Sequence, residues 1–568
     1  MDRSCVEVKR KSAYQTLFIL LLWAPPLAFV AIFFFYPLAA VLRVAGEAAF
    51  VSSTHSFMWR DVLRPLGFTV WQAALSTALT LLIGLPGAYV FARYTFAGKT
   101  MLRILTTLPF ILPTVVVAAA FNALLGPRGW VNLLLMGIFK LETPPLTLVN
   151  TLGAILLAHI FYNTTIVLRL VGGAWSQLDE RLERAARSLG ASSWRAFWEV
   201  TLPLLRPAIL SATLLVFLFD FTSFGVILLL GGARYTTLEV EIYIQTMHML
   251  NLPLAGLLSS VQLFCTLALM LLYSRVHGSQ TVELMPRTRG EGERKPSTWR
   301  QRLLVGGTIA LLFVLLISPL AALVARSFVR LEAARGERSE VRRGLTLVYY
   351  RELFINRRAS LFYVPPVEAA RNSLVYASLT TGISLGLGCA AAYALTRRLR
   401  LNRWLDSVLM LPLGASAVTL GLGFILVFNR PPLDVRTFPL LLPFAHSLVA
   451  LPFVVRTLQP ALVSIPEVLR QAAAVLGASP WRVWCEVELP IIGRALLVAA
   501  VFAFTISMGE FGATSFLARP EYPTLPVAIY RYLSQPGALN YGQALAMATL
   551  LMAVCGAGIL VMEKSSAQ

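Results

Sequence analysis

The sequence predicts an all-α polytopic membrane protein made of two homologous six-helix halves, about twelve transmembrane helices in total. Three observations predict it. Hydrophobic residues make up 57% of the 568 residues and charged residues 14%, with a mean hydropathy of +0.71. Ordinary soluble domains run at about 45–50% apolar and about 25% charged. Twelve apolar runs are each long enough to cross a bilayer, which takes about 20 residues. The second six runs repeat the first six. This composition excludes a free soluble enzyme, and it excludes disorder, which needs low hydrophobicity.

The runs lie at about 17–42, 68–92, 102–124, 149–171, 204–231, 255–274, 303–325, 372–395, 405–428, 438–459, 491–517 and 541–562. Pro25 and Pro26 predict a kink in the first. That run follows Lys9, Arg10 and Lys11, but it is too long for a secretory signal and no small-residue cleavage site follows, so it is expected to stay as an anchor. An even number of spans puts both termini on one side. With that side cytoplasmic, 29 of the 49 Lys and Arg fall in inner segments, and ten of the other 20 lie in the single long segment 326–371. The positive-inside rule therefore places both termini on the cytoplasmic side of a cell membrane. The net charge of +21 is accounted for by orientation and lipid contact, with no nucleic acid required. Five widely spaced cysteines, with no CxxC, indicate neither a disulfide framework nor a zinc site.

The polar, basic stretch 276–302 reads as a cytoplasmic linker between a first half, 1–275, and a second, 303–568, whose long external loop covers 328–370. Across this linker, Leu182–Pro203 and Leu469–Pro490 share 13 of 22 residues at an offset of 287. The same offset pairs His159 with His446, Arg169 with Arg456, Phe224-Gly225 with Phe511-Gly512, Thr237-Leu238 with Thr524-Leu525 and Tyr243 with Tyr530. Upstream the offset becomes about 304, pairing Tyr89 with Tyr393 and Arg93 with Arg397. Same-direction repeats imply a pseudo-two-fold axis along the membrane normal, with a solute path on it.

The most alike part of the repeat is a polar insert between two spans, near 178–203 and 465–490. Asp179 and Glu180 start a helix with negative charge at its positive end. Leu182, Ala185, Ala186 and Leu189 form a narrow apolar stripe, and Gly190 supplies a stop. A second short helix carries Trp194, and Pro203 is expected at the first turn of the next membrane helix.

These two segments resemble the EAA motif of permease subunits in binding-protein-dependent ATP-binding-cassette importers. Gly190 and Gly477 take the motif's glycine, and Leu202-Pro203 and Leu489-Pro490 its Leu-Pro. The fused two-half length resembles the ferric-iron and thiamine branch, with polyamine, molybdate and sulfate permeases as relatives. The resemblance implies a type I importer permease fold and a coupling loop in each half that docks on an ATPase subunit. The contacts would fall on Glu183, Ala185, Ala186, Gly190, Ala191, Trp194 and Pro203, and on Ala472, Ala473, Gly477, Ala478, Trp481 and Pro490. Arg184 and Gln471 stand where the motif has glutamate, which removes the acid that would pair with the ATPase from that position. The implied partners are two ATPase subunits, an extracytoplasmic solute-binding protein on outer segments including 232–254 and 519–539, and the lipid bilayer.

No catalytic residue, metal site or cofactor is expected on this chain, and ATP is expected to be used by partners. Gly98-Lys99-Thr100 mimics the end of a phosphate loop, but Arg93 stands where that loop needs glycine, so Lys99 reads as a solvated charge. His159 and His446 read as packing groups inside spans. Asp220 and Glu510 are costly charges in the spans after the repeated insert. They read either as lining for a cationic solute's path or as interhelical polar packing. An ion-coupled secondary transporter is the alternative function, since it shares the twelve-span plan without needing the inserts.

Overall fold

The computed structural model describes residues 19–52, 58–278, 293–330, 344–356, 364–397, 401–429, 431, 433–434 and 438–567. The readings of the N-terminal charges, of 279–292 in the linker and of 331–343 and 357–363 in the external loop lie outside the described residues. Among the described residues, eleven helices are long and apolar enough to cross a membrane. The apolar pair Trp404–Gly414 and Ala417–Val427 is bent by 96° and brings the number to twelve when counted as one broken span.

The halves are interleaved. The first helix, Ile19–Glu47, packs on its own half's last span and on Ala417–Val427 of the other half. Phe33 sets its ring against Phe424, Phe428 and Phe444 there. Trp299–Ser327 mirrors it, packing on Ala538–Ala567 of its own half and on Thr114–Leu125 of the first. The repeat also survives at single hydrogen bonds. The Leu238 N–H donates to Thr69 Oγ1 at 2.9 Å, and the Leu525 N–H donates to Ser373 Oγ at 2.7 Å. Each bond satisfies an orphan donor at the start of a ten-residue helix, Leu238–Met247 or Leu525–Ser534.

Those two helices correct one expectation. Most of Leu238–Met247 and Leu525–Ser534 is buried, so 232–254 and 519–539 are packed inserts rather than open outer loops. The longest exposed stretches are 247–251 in the first insert and 520–522 in the second. Hydropathy alone missed this because Glu239, Glu241 and Gln245 make the first insert look solvated.

Prolines shape three helices in one way. The first helix runs unbroken through Pro25 and Pro26 to a π turn at Ala31–Phe35. Pro203 does not open a membrane helix. It lies inside one continuous helix, Ser193–Phe221, after a π turn at Phe197–Thr201. Pro490 likewise lies inside Pro480–Gly509, after a π turn at Trp484–Glu488. In all three, one residue separates the π turn from a proline: Pro37, Pro203 or Pro490. A proline ring collides with the carbonyl four residues back and cannot bond to it. Widening the turn just before it relieves the clash and lets the helix continue.

The spans that follow the repeated insert are broken at their far ends. The expected straight runs 204–231 and 491–517 are Leu202–Phe221 then Gly225–Leu230, and Leu489–Gly509 then Gly512–Leu517. Neighbouring elements press on both breaks. A Cβ at Gly225 would collide with Thr114, and one at Gly512 with Ala417.

Lys99 is not a solvated charge. Its ammonium donates to the Tyr94 carbonyl at 2.9 Å and pairs with Glu293 at 2.8 Å, while burial pulls its pKa below the ordinary lysine value. The end of the linker is thereby strapped to the second span, where the Arg294 N–H also donates to the Arg93 carbonyl. In the described part of the external segment, Val329–Arg330 pairs antiparallel with Gly344–Leu345, and Tyr349 lies buried against Gly542, where any side chain would strike its ring.

Candidate functional site

Each repeated insert folds as a helix–glycine–helix knob. Asp179 Oδ1 accepts from the Arg181 N–H and caps Glu180–Ser188. At the other end the Gly190 N–H donates to the Arg187 carbonyl and the Ala191 N–H to the Ala186 carbonyl. The second knob repeats both bonds, from Gly477 to Ala474 and from Ala478 to Ala473. This helix stop needs a left-handed residue, and Gly190 and Gly477 sit at φ +91° and +83°. Ser192 and Ser479 then cap the second helices, accepting from the Arg195 and Arg482 N–H groups.

No residue of Glu180–Ser188 or Glu467–Val475 is buried. Ala185 and Ala472 are exposed, and Ala186, Ala191, Ala473 and Ala478 are half-buried in matching positions. The apolar residues point outward. Leu189 is 90% exposed and Trp194 70%, while Leu476 is 88% and Trp481 74%. Glu183 stays on the surface, 3.9 Å from Arg187, and Pro203 and Pro490 lie beyond the π turns. Each knob is continuous with its membrane helix of 29 or 30 residues, a rod of about 44 Å.

At the far ends of these rods sit the acids. Asp220 is fully buried; its Oδ1 accepts from Asn163 Nδ2 at 2.7 Å and lies 3.2 Å from His159 Nδ1. Glu510 accepts from the Ala513 and Thr514 N–H groups at 2.8 and 2.9 Å, capping Gly512–Leu517, and lies 3.3 Å from His446 Nε2. The two sets are exchanged versions of one another. His159 faces Asp220 through Nδ1 and Ser223 through Nε2. His446 faces Ser507 through Nδ1 and Glu510 through Nε2. Ser507 is the repeat equivalent of Asp220, and Ser223 that of Glu510, so acid and hydroxyl have traded places around an equivalent ring.

Between the halves, Phe224 and Phe511 stack with centroids 5.5 Å apart and planes 20° apart. Tyr243 packs on Phe224 at 5.4 Å and Tyr530 on Phe511 at 5.5 Å. The two tyrosine phenols also interact with each other. Both pairs are repeat equivalents, and equivalent residues of a two-fold pair touch only at the axis.

Glu239 was missed by sequence reasoning. It is 1% exposed, accepts from Gln262 Nε2 at 2.9 Å, and accepts from Ser416 Oγ of the other half at 2.8 Å. It lies one helical turn from Tyr243, on the same face. Its signal was an acid with no basic neighbour in a ten-residue apolar-rich helix.

Comparison with a family model agrees with the two-half organisation. The family described as "Binding-protein-dependent transport system inner membrane component" matches residues 81–282 and 382–563, one copy in each half. The chain is 28% identical to the probable ABC transporter permease protein y4fN of Sinorhizobium fredii, over 93% of this chain and 92% of that one. It is 27% identical to the thiamine transport system permease protein ThiP of Salmonella typhimurium, over 93% and 95%. Among solved structures it is similar to a bacterial ABC transporter involved in import of the acidic polysaccharide alginate, with 17% identity and a TM-score of 0.38 over 49% of this chain. With two copies of the family's domain, eleven to twelve candidate spans among the described residues and a repeated EAA-like insert, this chain belongs to the inner-membrane permease components of binding-protein-dependent ABC importers.

Proposed function

We propose that this chain forms the solute path of an importer for a thiamine-like organic cation, worked by two separate ATP-binding-cassette subunits that dock on the two knobs. The observation that carries the coupling is the pair of matching apolar tips, Leu189 with Trp194 and Leu476 with Trp481, which stand at the ends of the membrane helices and are exposed among the described residues. Ala185, Ala186 and Ala191, with Ala472, Ala473 and Ala478, leave room for a close-fitting groove. ATP is bound and hydrolysed by the partners, and an extracytoplasmic binding protein delivers the solute to exposed tips such as Met249 and Leu250. Both termini and both knobs face the cytoplasm, on the strength of the basic inner segments.

The relatives named as thiamine permeases support the solute class. So do the buried carboxylates. Among the described residues, Asp220, Glu239 and Glu510 have no Arg or Lys ion pair. Glu239 is the one shared between the halves, where a cation's path would run. Thiamine is therefore favoured over ferric iron, whose binding calls for several clustered oxygen ligands.

The test is uptake into liposomes holding the chain with its ATPase subunits, with the binding protein outside. Labelled thiamine should enter with internal ATP and not with an ion gradient alone, and Glu239→Gln should weaken uptake. Entry driven by the gradient without ATP would establish the secondary-transporter reading instead. ATP-driven entry of ferric iron, with thiamine excluded, would correct the solute.

A further inference from the structure

We infer that Phe224 and Phe511, backed by Tyr243 and Tyr530, are the gate of the solute path, closed in this structure and moved from the knobs by the rods that end beside them. The inference rests on the permease reading above.

Symmetry locates the gate. A path between two halves related by a two-fold axis must pass where equivalent residues meet. At that place the equivalent rings Phe224 and Phe511 stack on one another, each backed by its own tyrosine, Tyr243 or Tyr530. Phe224 is 6% exposed and Phe511 3%, so the contact is dry. Hydrophobic constrictions of this kind stop ions and water by dewetting.

Continuity supplies the motion. The rods Ser193–Phe221 and Pro480–Gly509 run unbroken from knob to gate, because the π turns carry them past Pro203 and Pro490. Each rod stops within three residues of its phenylalanine. A tilt imposed at a knob therefore arrives at the break, where the backbone can turn. The residue just before each ring is held from a neighbouring span: Ser223 by His159 at 2.8 Å, and Glu510 by His446 at 3.3 Å. These histidines are positioning residues, which keep the rings on the axis until the rods move. Separated rings would present four π faces to the path, a surface that favours a passing organic cation.

The test is passive leakage. Liposomes holding the chain assembled with its ATPase subunits are loaded with tetramethylammonium and given neither ATP nor binding protein. The double variant Phe224→Ala with Phe511→Ala should leak on the order of tenfold faster than wild type. Leakage at the wild-type rate overturns the gate. A pore made by misfolding is separated by a second variant, Phe224→Cys with Phe511→Cys, in a chain whose native cysteines are replaced. It should also leak, and a short thiol cross-linker should reseal it. A leak that bridging leaves unchanged overturns the gate. Binding-protein-stimulated ATP hydrolysis by the wild-type liposomes reports the permease reading separately. Stimulation alongside a tight double variant sinks the gate alone. No stimulation in wild type sinks the permease reading and the gate with it.

Discussion

In the first half the knob helix is held from outside itself: Arg93, at the end of the second span, reaches Glu180 at 2.9 Å. In the second half the fastening arginine, Arg470, sits on the knob helix itself and also donates to the Leu462 carbonyl of the preceding span at 3.2 Å. It pairs with Glu467 at 2.9 Å and with Glu488 of the π turn at 2.5 Å. Arg397, the equivalent of Arg93, stacks over Tyr393 instead, 4.8 Å from its ring. Yet the glycine stops, the serine caps and the exposed leucine and tryptophan tips coincide. The histidine clusters behave alike, with acid and serine exchanged around a fixed ring. The difference teaches that the position of the tip and of the ring is what the fold reproduces, and the means of holding them is interchangeable.

The strongest challenge to that equivalence is steric. Ala185→Trp with Ala186→Trp, or Ala472→Trp with Ala473→Trp, should each abolish ATP-driven uptake while membrane insertion, checked by the amount of folded protein, stays intact. Transport at the wild-type rate from either variant would show that one tip is dispensable.

Next come the clusters. Asp220→Ala strands the Asn163 amide and the His159 ring in a dry interior and should cost about 3 kcal/mol, read as a lower thermal midpoint in lipid nanodiscs. Asp220→Ser with Ser223→Glu copies the second half's arrangement into the first. It should recover at least half of the loss seen with Asp220→Ser alone, and no recovery would break the exchange argument.

The fastenings predict a smaller, local effect. Arg470→Ala leaves Glu488 buried without its partner and should cost about 2 kcal/mol. Hydrogen exchange should speed up in Glu467–Val475 and stay unchanged in Glu180–Ser188. Arg93→Ala should do the reverse. Smallest are Gly190→Ala and Gly477→Ala, at about 1 kcal/mol each for a left-handed alanine. Both glycines face open space, so thermal midpoints should fall equally, and unequal losses would set the two stops apart.

The knobs were legible in the sequence because their grammar is local. Asp179 and Gly190 act on neighbours within a few residues, and the second copy repeats the glycine stop. The spans were legible for the same reason, since apolar length needs no partner. The breaks at Thr222–Phe224 and Glu510–Phe511 were not, because the groups that press on them, Thr114 and Ala417, lie about 100 residues away in sequence. Glu239 was hidden likewise: Ser416 stands 177 residues on, and only the fold removes both from water. Pro203 read as a helix start because a proline inside a helix is normally a break, and a π turn is not visible in composition.

One measurement bears most directly on the account. A photo-reactive amino acid placed at Leu189, and separately at Leu476, in the chain assembled with its ATPase subunits should cross-link to an ATPase subunit from both positions. Cross-links to lipid, or only to this chain's own helices, from either position would contradict it.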